Sequence, residues 1–232
     1  MFELSGVIPP STTPFNENGD IDFDGAAKQI DWLIDEGARG VAVGGSTGEG
    51  HTLTAEEGRD LVATAIDTAA GRSPIVAGII CDSTREAVRR GKMVADLGPF
   101  ALQVTPVHYL FRPTDEAMVE HFRTMAGETG QKIIIYNVVP WTYLSPELLI
   151  RIMIEVPQVI GVKQSAGDLK LFADLMAEAP PEKLIFSAVD ALMYPSYTLG
   201  AHGSIAAILT AAPRPSVQLW DAVKSGDHET AH

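Results

Sequence analysis

Val159-Ile160-Gly161-Val162-Lys163 is an apolar, β-rich run that ends on a lysine. Nearly continuous hydrophobicity of this kind is expected of a parallel strand covered on both faces; a half-solvated antiparallel strand would alternate. Strand periodicity puts Val159, Gly161 and Lys163 on one side, with Ile160 and Val162 on the other, facing helices. Similar short runs recur on either side along the chain: Val7-Ile8, Val41-Ala42-Val43, Pro74-Ile75-Val76-Ala77, Leu102-Gln103-Val104, Ile133-Ile134-Ile135-Tyr136, Leu184-Ile185-Phe186 and Ser204-Ile205-Ala206. With the first run they make eight expected strands.

Helical signals fill the gaps between them. Ala26, Ile30, Leu33 and Ile34 share one helical face, as do Leu148, Leu149, Ile152 and Met153. Thr54 with Glu57 and Ser83 with Glu86 have capping-box spacing, and Ser145-Pro146 reads as an N-cap followed by proline at the first helical position. Gly37, Gly71 and Gly98 are suited to stop helices. Eight strand-then-helix units predict an α/β fold, a (β/α)8 TIM barrel formed as one domain over residues 1–232. The competing open, doubly wound sheet lacks the G-x-G-x-x-G turn that usually supports it. After Pro213 one further helix is expected, Ser216 to Lys224, and the chain then reads as a truncated C-terminal helical extension.

Composition narrows the function. Residues are 46% hydrophobic and 20% charged, ordinary globular usage that leaves room for a large core. Against 30 acidic side chains stand 17 Lys plus Arg, a formal charge of -13 that would repel nucleic acid and anionic membranes. An anionic substrate would therefore need local donors such as loop amides and hydroxyls. Cys81 is the single cysteine, so neither an internal disulfide nor a thiolate metal cluster is available, and no metal site is expected. The N-terminus has no basic leader and no apolar run approaches ~20 residues, so a cytoplasmic location is expected.

Barrel enzymes carry their chemistry at the C-terminal strand ends, where Lys163 lies. An amine inside the barrel loses hydration, and its pKa falls from ~10.4 toward values at which the neutral nucleophile is populated. A barrel lysine held in an ion pair, or reaching out to solvent, is an equally open reading of this strand alone. Tyr136 should face inward on the neighbouring strand, ~4.8 Å away, where a phenol and an amine could touch one small substrate; a core tyrosine bonded to a carbonyl is the plainer alternative. Gly44-Gly45-Ser46-Thr47-Gly48-Glu49-Gly50 offers amides and two hydroxyls to an anion, or is simply a glycine-rich turn.

Taken together, Gly45-Ser46-Thr47-Gly48-Glu49, Tyr136-Asn137-Val138 and Gly161-Val162-Lys163-Gln164-Ser165-Ala166-Gly167-Asp168 resemble the dihydrodipicolinate synthase and N-acetylneuraminate lyase family. Thr105-Pro106 and Gly200-Ala201-His202-Gly203-Ser204-Ile205 echo it more weakly. The resemblance implies a Schiff-base lyase, aldolase or dehydratase, in which Lys163 forms an imine with pyruvate or a related 2-oxo acid, with no metal or organic cofactor. It implies that Tyr136 and Ser46 relay protons, that Thr47 and the loop amides from Gly45 hold the carboxylate, and that main chain near Ile205 orients the lysine. An aldehyde is the implied second reactant, and a homo-oligomer, dimer or tetramer, the implied assembly.

Two departures qualify the match. Family members that condense pyruvate with aspartate semialdehyde usually carry an arginine shortly after the Tyr-Asn-Val stretch, whereas this chain has Trp141. That argues against dihydrodipicolinate synthase proper, and Trp141 is read either as lining a less polar substrate pocket or as scaffold. It also motivates the alternative of a non-catalytic, metabolite-binding member. The loop from Val107 to Pro113 is longer than usual; within it Tyr109 is the expected equivalent of a relay tyrosine that crosses a subunit interface. His108 and Arg112 either contact substrate or have ordinary surface roles.

Overall fold

A computed structural model describes residues 3–232. Met1 and Phe2, part of the N-terminal stretch read above as free of a leader, lie outside the described residues. Eight parallel strands follow one another in the order β1-β8-β7-β6-β5-β4-β3-β2. They are β1 (Gly6–Val7), β2 (Val41–Val43), β3 (Ile75–Ile79), β4 (Ala101–Val104), β5 (Ile133–Asn137), β6 (Val159–Gln164), β7 (Leu184–Ser187) and β8 (Gly203–Ser204). The ring closes between the first two strands through a parallel bridge, Pro10 to Ala42. There the Ala42 amide donates to Pro9 O at 3.0 Å and the Ser11 amide to Ala42 O at 2.8 Å. This is the (β/α)8 TIM barrel expected from the sequence.

The first six helices are α1 (Phe23–Asp35), α2 (Ala55–Ala69), α3 (Thr84–Ala95), α4 (Asp115–Thr129), α5 (Pro146–Glu155) and α6 (Leu169–Glu178). The remaining four are α7 (Met193–Thr198), α8 (Ile208–Ala211), α9 (Pro213–Ser225) and α10 (His228–Ala231). No helix among the described residues is long and apolar enough to cross a membrane. The Thr54–Glu57 capping box forms in both directions. At Ser83 only half of the expected box forms: the Ser83 hydroxyl accepts from the Glu86 amide. The Glu86 carboxylate turns instead to Arg89 and Arg90, at 2.9 and 3.0 Å. α9 begins three residues earlier than expected, because Pro213 occupies a position in the first turn, where its missing N–H costs nothing.

Two apolar layers result. The larger lies between strands and helices and includes Ile30, Leu33, Leu102, Phe122, Leu149 and Val162. A smaller one fills the barrel itself, with Leu4, Ile8, Ala42, Val76, Ile134 and Phe186. β6 corrects a detail of the sequence reading. Val159 packs in the outer layer together with Val162, while Ile160 packs against the inner one. The cause is a bulge: Ile133 pairs with Val159 but Ile134 pairs with Gly161, so one residue of β6 is left over and the alternation resets. Above the bulge Lys163 keeps its inward direction.

Candidate active site

Beyond the bulge, Lys163 aligns with Tyr136 on β5 and with Phe186 on β7. Its side chain is 4% exposed and makes no hydrogen bond or ion pair among the described residues. Its nitrogen lies 3.8 Å from the centroid of the Tyr136 ring. Burial with no compensating carboxylate penalises the ammonium form, and the pKa falls from 10.5 to about 7. The free amine lone pair is therefore populated near neutral pH.

Tyr136 is as deeply buried as the lysine, and its hydroxyl donates to Ser46 Oγ at 3.1 Å. Burial raises the phenol pKa and outweighs the opposing bond to Ser46, so the group remains a proton donor at neutral pH. Ser46 is solvent-exposed, which links the buried pair to water.

Ser46 belongs to the loop that follows β2. The amides of Gly48, Glu49 and Gly50 close that turn by donating to Gly45 O, Ser46 O and Gly45 O. Those of Gly45, Ser46 and Thr47 have no hydrogen-bond partner among the described residues. Such a run of free amides is a ready receptor for a carboxylate. The loop folds tightly because Gly44 has φ 66° and because Gly78 on β3 has no side chain. A Cβ on Gly78 would stand 2.3 Å from Gly44 O.

The other expected residues are spread more widely. Ile205 is buried in the barrel, and its amide donates to Ser187 O at 2.8 Å; no hydrogen bond joins it to Lys163. Tyr109 is 71% exposed on the loop after β4, beside exposed Leu110 and Phe111, and does not reach the Tyr136–Ser46 pair. Trp141 is also exposed, on the short 3-10 turn Pro140–Thr142, and its indole N–H donates to His108 O at 2.7 Å. His108 pairs with Asp82 at 2.9 Å and Arg112 with Asp115 at 2.6 Å. A cavity of ≈ 590 Å³ opens over the ends of β3, β4 and β5, with Ser46, Asp82, Thr105, His108 and Val139 in its wall.

Three residues on or behind β4 were given no role in the site by the sequence. Gln103 and Thr105 are fully buried, and neither the Gln103 amide nor the Thr105 hydroxyl has a partner. A glutamine in the middle of the apolar run Ala101–Val104 was the available signal. His121 on α4 lies behind them, its two ring nitrogens against Thr105 O and the Thr84 hydroxyl at 3.1 and 2.9 Å. Burial lowers its pKa to about 4, so it is a neutral brace for the end of β4.

A desolvated amine, a phenol in contact with it and an amide-lined loop at the strand ends of a (β/α)8 barrel are the features of a Schiff-base-forming lyase. Residues 3–232 match the model of the dihydrodipicolinate synthetase family. The chain is 36% identical over 234 residues to the 4-hydroxy-tetrahydrodipicolinate synthase of Ralstonia nicotianae, covering 100% of this chain and 79% of that protein. A crystal structure of dihydrodipicolinate synthase from Aquifex aeolicus superposes with a TM-score of 0.92 at 30% identity, covering 98% of this chain and 78% of that one. The enzyme from Acinetobacter baumannii, solved with pyruvate, gives 0.94 at 28% identity, covering 99% and 79%. The chain belongs to the dihydrodipicolinate synthetase family, a family of Schiff-base lyases.

Proposed function

We propose that Lys163 forms the imine, with the C2 carbon of pyruvate or a closely related 2-oxo acid. The observation that carries the assignment is the buried, unpaired Lys163 amine 3.8 Å from the Tyr136 ring, whose hydroxyl is bonded to Ser46. The neutral amine adds to the keto carbon, the former keto oxygen leaves as water, and the Tyr136–Ser46 pair delivers the protons that this departure requires. The protonated imine nitrogen then draws electrons from C3, which loses a proton to give an enamine. That enamine attacks an aldehyde, or the same steps run in reverse and cleave the bond. Thr47 and the free amides of Gly45 and Ser46 hold the substrate carboxylate, the local donors that a chain of charge -13 needs. The chemistry draws on no metal or organic cofactor.

Trp141 stands where an arginine would anchor a second carboxylate, which favours a less polar aldehyde partner. Dihydrodipicolinate synthase proper is the second reading, supported by the names of relatives such as the Ralstonia nicotianae enzyme. Turnover of pyruvate with aspartate semialdehyde decides between them. We assign Tyr109 to a relay completed between subunits of a dimer or tetramer in the cytoplasm.

Borohydride reduction in the presence of pyruvate tests the imine. Mass spectrometry of the intact protein is expected to show one reduced adduct, absent from Lys163→Ala. No adduct on the wild-type chain, or one that survives the substitution, refutes the assignment.

A further inference from the structure

Inside the barrel, the pairing of β3, β4, β5 and β6 sets Gly78, Gln103, Ile134 and Gly161 in one row. Gln103 is the polar member of that row. Its side chain is 0% exposed, and neither its oxygen nor its nitrogen has a hydrogen-bond partner. A buried amide left unpaired in this way is costly, and most buried polar groups are partnered by protein, water or ligand.

What lies above it suggests the partner. Gly78 lets the loop after β2 drop onto the barrel, because any side chain there would strike Gly44 O. The loop's descent seats Gly45 on Gln103: a Cβ built on Gly45 would stand 3.5 Å from Gln103 Nε2. Gly45 carries the first of the three unpartnered amides. The carboxamide therefore sits against Gly45, the first residue of that run of free amides.

We propose that Gln103 is a specificity-determining residue for that carboxylate, its Nε2 donating to one carboxylate oxygen from the barrel floor while the loop amides donate from above. The inference rests on the imine reading of the site. A primary amide is suited to the task. It supplies a donor without a charge, so it leaves the Lys163 titration alone and does not oppose the positive charge of the protonated imine, as a second cation would. A hydrogen bond to a charged acceptor in a site shielded from water is among the stronger ones, and its loss should weaken binding roughly 10- to 100-fold.

The test compares adduct formation, trapped by borohydride, with pyruvate and with its uncharged analogue pyruvamide, in the wild-type chain, Gln103→Met and Gln103→Leu. Methionine matches glutamine in length and brings no polar atom; leucine is the second variant should methionine pack poorly. The proposal expects the pyruvate concentration needed for half-maximal adduct to rise roughly 10- to 100-fold in the variants, with the maximal extent of adduct retained. The pyruvamide response should change less than threefold. Equal shifts for both ketones, or no shift for either, would mean that Gln103 serves only the fold or a trapped water, and would overturn the proposal. Absence of any wild-type adduct with either ketone would instead bring down the imine reading on which it rests.

Discussion

Replacing Lys163 by methionine should make the protein more stable, and by an amount that depends on pH in a defined way. Burial holds the folded-state pKa of Lys163 at about 7 against an ordinary value of 10.5. Between those two values the unfolded chain binds a proton that the folded chain does not, so stability rises with pH across that window. The cost is therefore greatest at and below neutrality and vanishes above the unfolded value. Linkage over the two pKa values gives a penalty of about 3 kcal/mol at pH 8 that shrinks to about 1 kcal/mol at pH 10. Lys163→Met removes the titration and fills nearly the same volume, placing sulfur near the Tyr136 ring, a favourable contact. Urea unfolding of both proteins, followed by far-UV circular dichroism at pH 7, 8, 9 and 10, reads the difference directly; other lysines and tyrosines titrate alike in the two and cancel. A variant less stable than wild type at pH 8, or a gap that stays constant up to pH 10, would refute the claim that this amine is desolvated and unpaired.

Tyr136→Phe keeps the ring against Lys163 and removes the hydroxyl bonded to Ser46, so the adduct should still form while turnover falls roughly 10²- to 10⁴-fold, measured as kcat with the best aldehyde found. His121 has a folded-state pKa depressed from 6.5 to about 4, so its contribution is complete above pH 6.5 and is lost as the pH falls toward 4. That loss should reach about 3 kcal/mol in urea titrations, and His121→Gln should flatten it. Gly78→Ala forces a methyl against Gly44 O and the Gly45 amide and should cost about 3 kcal/mol in chemical denaturation. Gly58→Ala in α2 meets nothing within 4 Å and should add about 0.5 to 1 kcal/mol.

The barrel was legible because its signals are local. Each strand is a short apolar run, and the caps at Thr54, Ser83 and Ser145 mark where helices begin. Lys163 and Tyr136 were legible for a related reason: periodicity fixes direction, and adjacent parallel strands fix neighbourhood. The β6 bulge was not, since an extra residue is defined only by what it fails to pair with on β5. Gln103 was hidden by its surroundings, a polar letter in an apolar word whose missing partners appear only when the barrel is closed around it. Trp141 and Tyr109 sit on loops, where sequence order says little about position; the bond from the Trp141 indole to His108 O joins two loops that are 33 residues apart in sequence.

The closure between β1 and β2 is one of the thinner edges of this barrel. Pro9 and Pro10 have no amide hydrogen, so that flank of the ring is stitched with fewer cross-links than a regular ladder, the Ser11 and Ala42 amides among them. Opening along that flank, like a barrel losing a stave, would bare Leu4 and Ile8 from its lining. β2 borders that seam and leads straight into the Gly45–Thr47 loop, so loosening at the edge would reach that run of free amides before it reached Lys163, on the far side of the ring. Substrate held by that loop would in turn tie the edge shut, linking occupancy of the site to the durability of the whole enclosure.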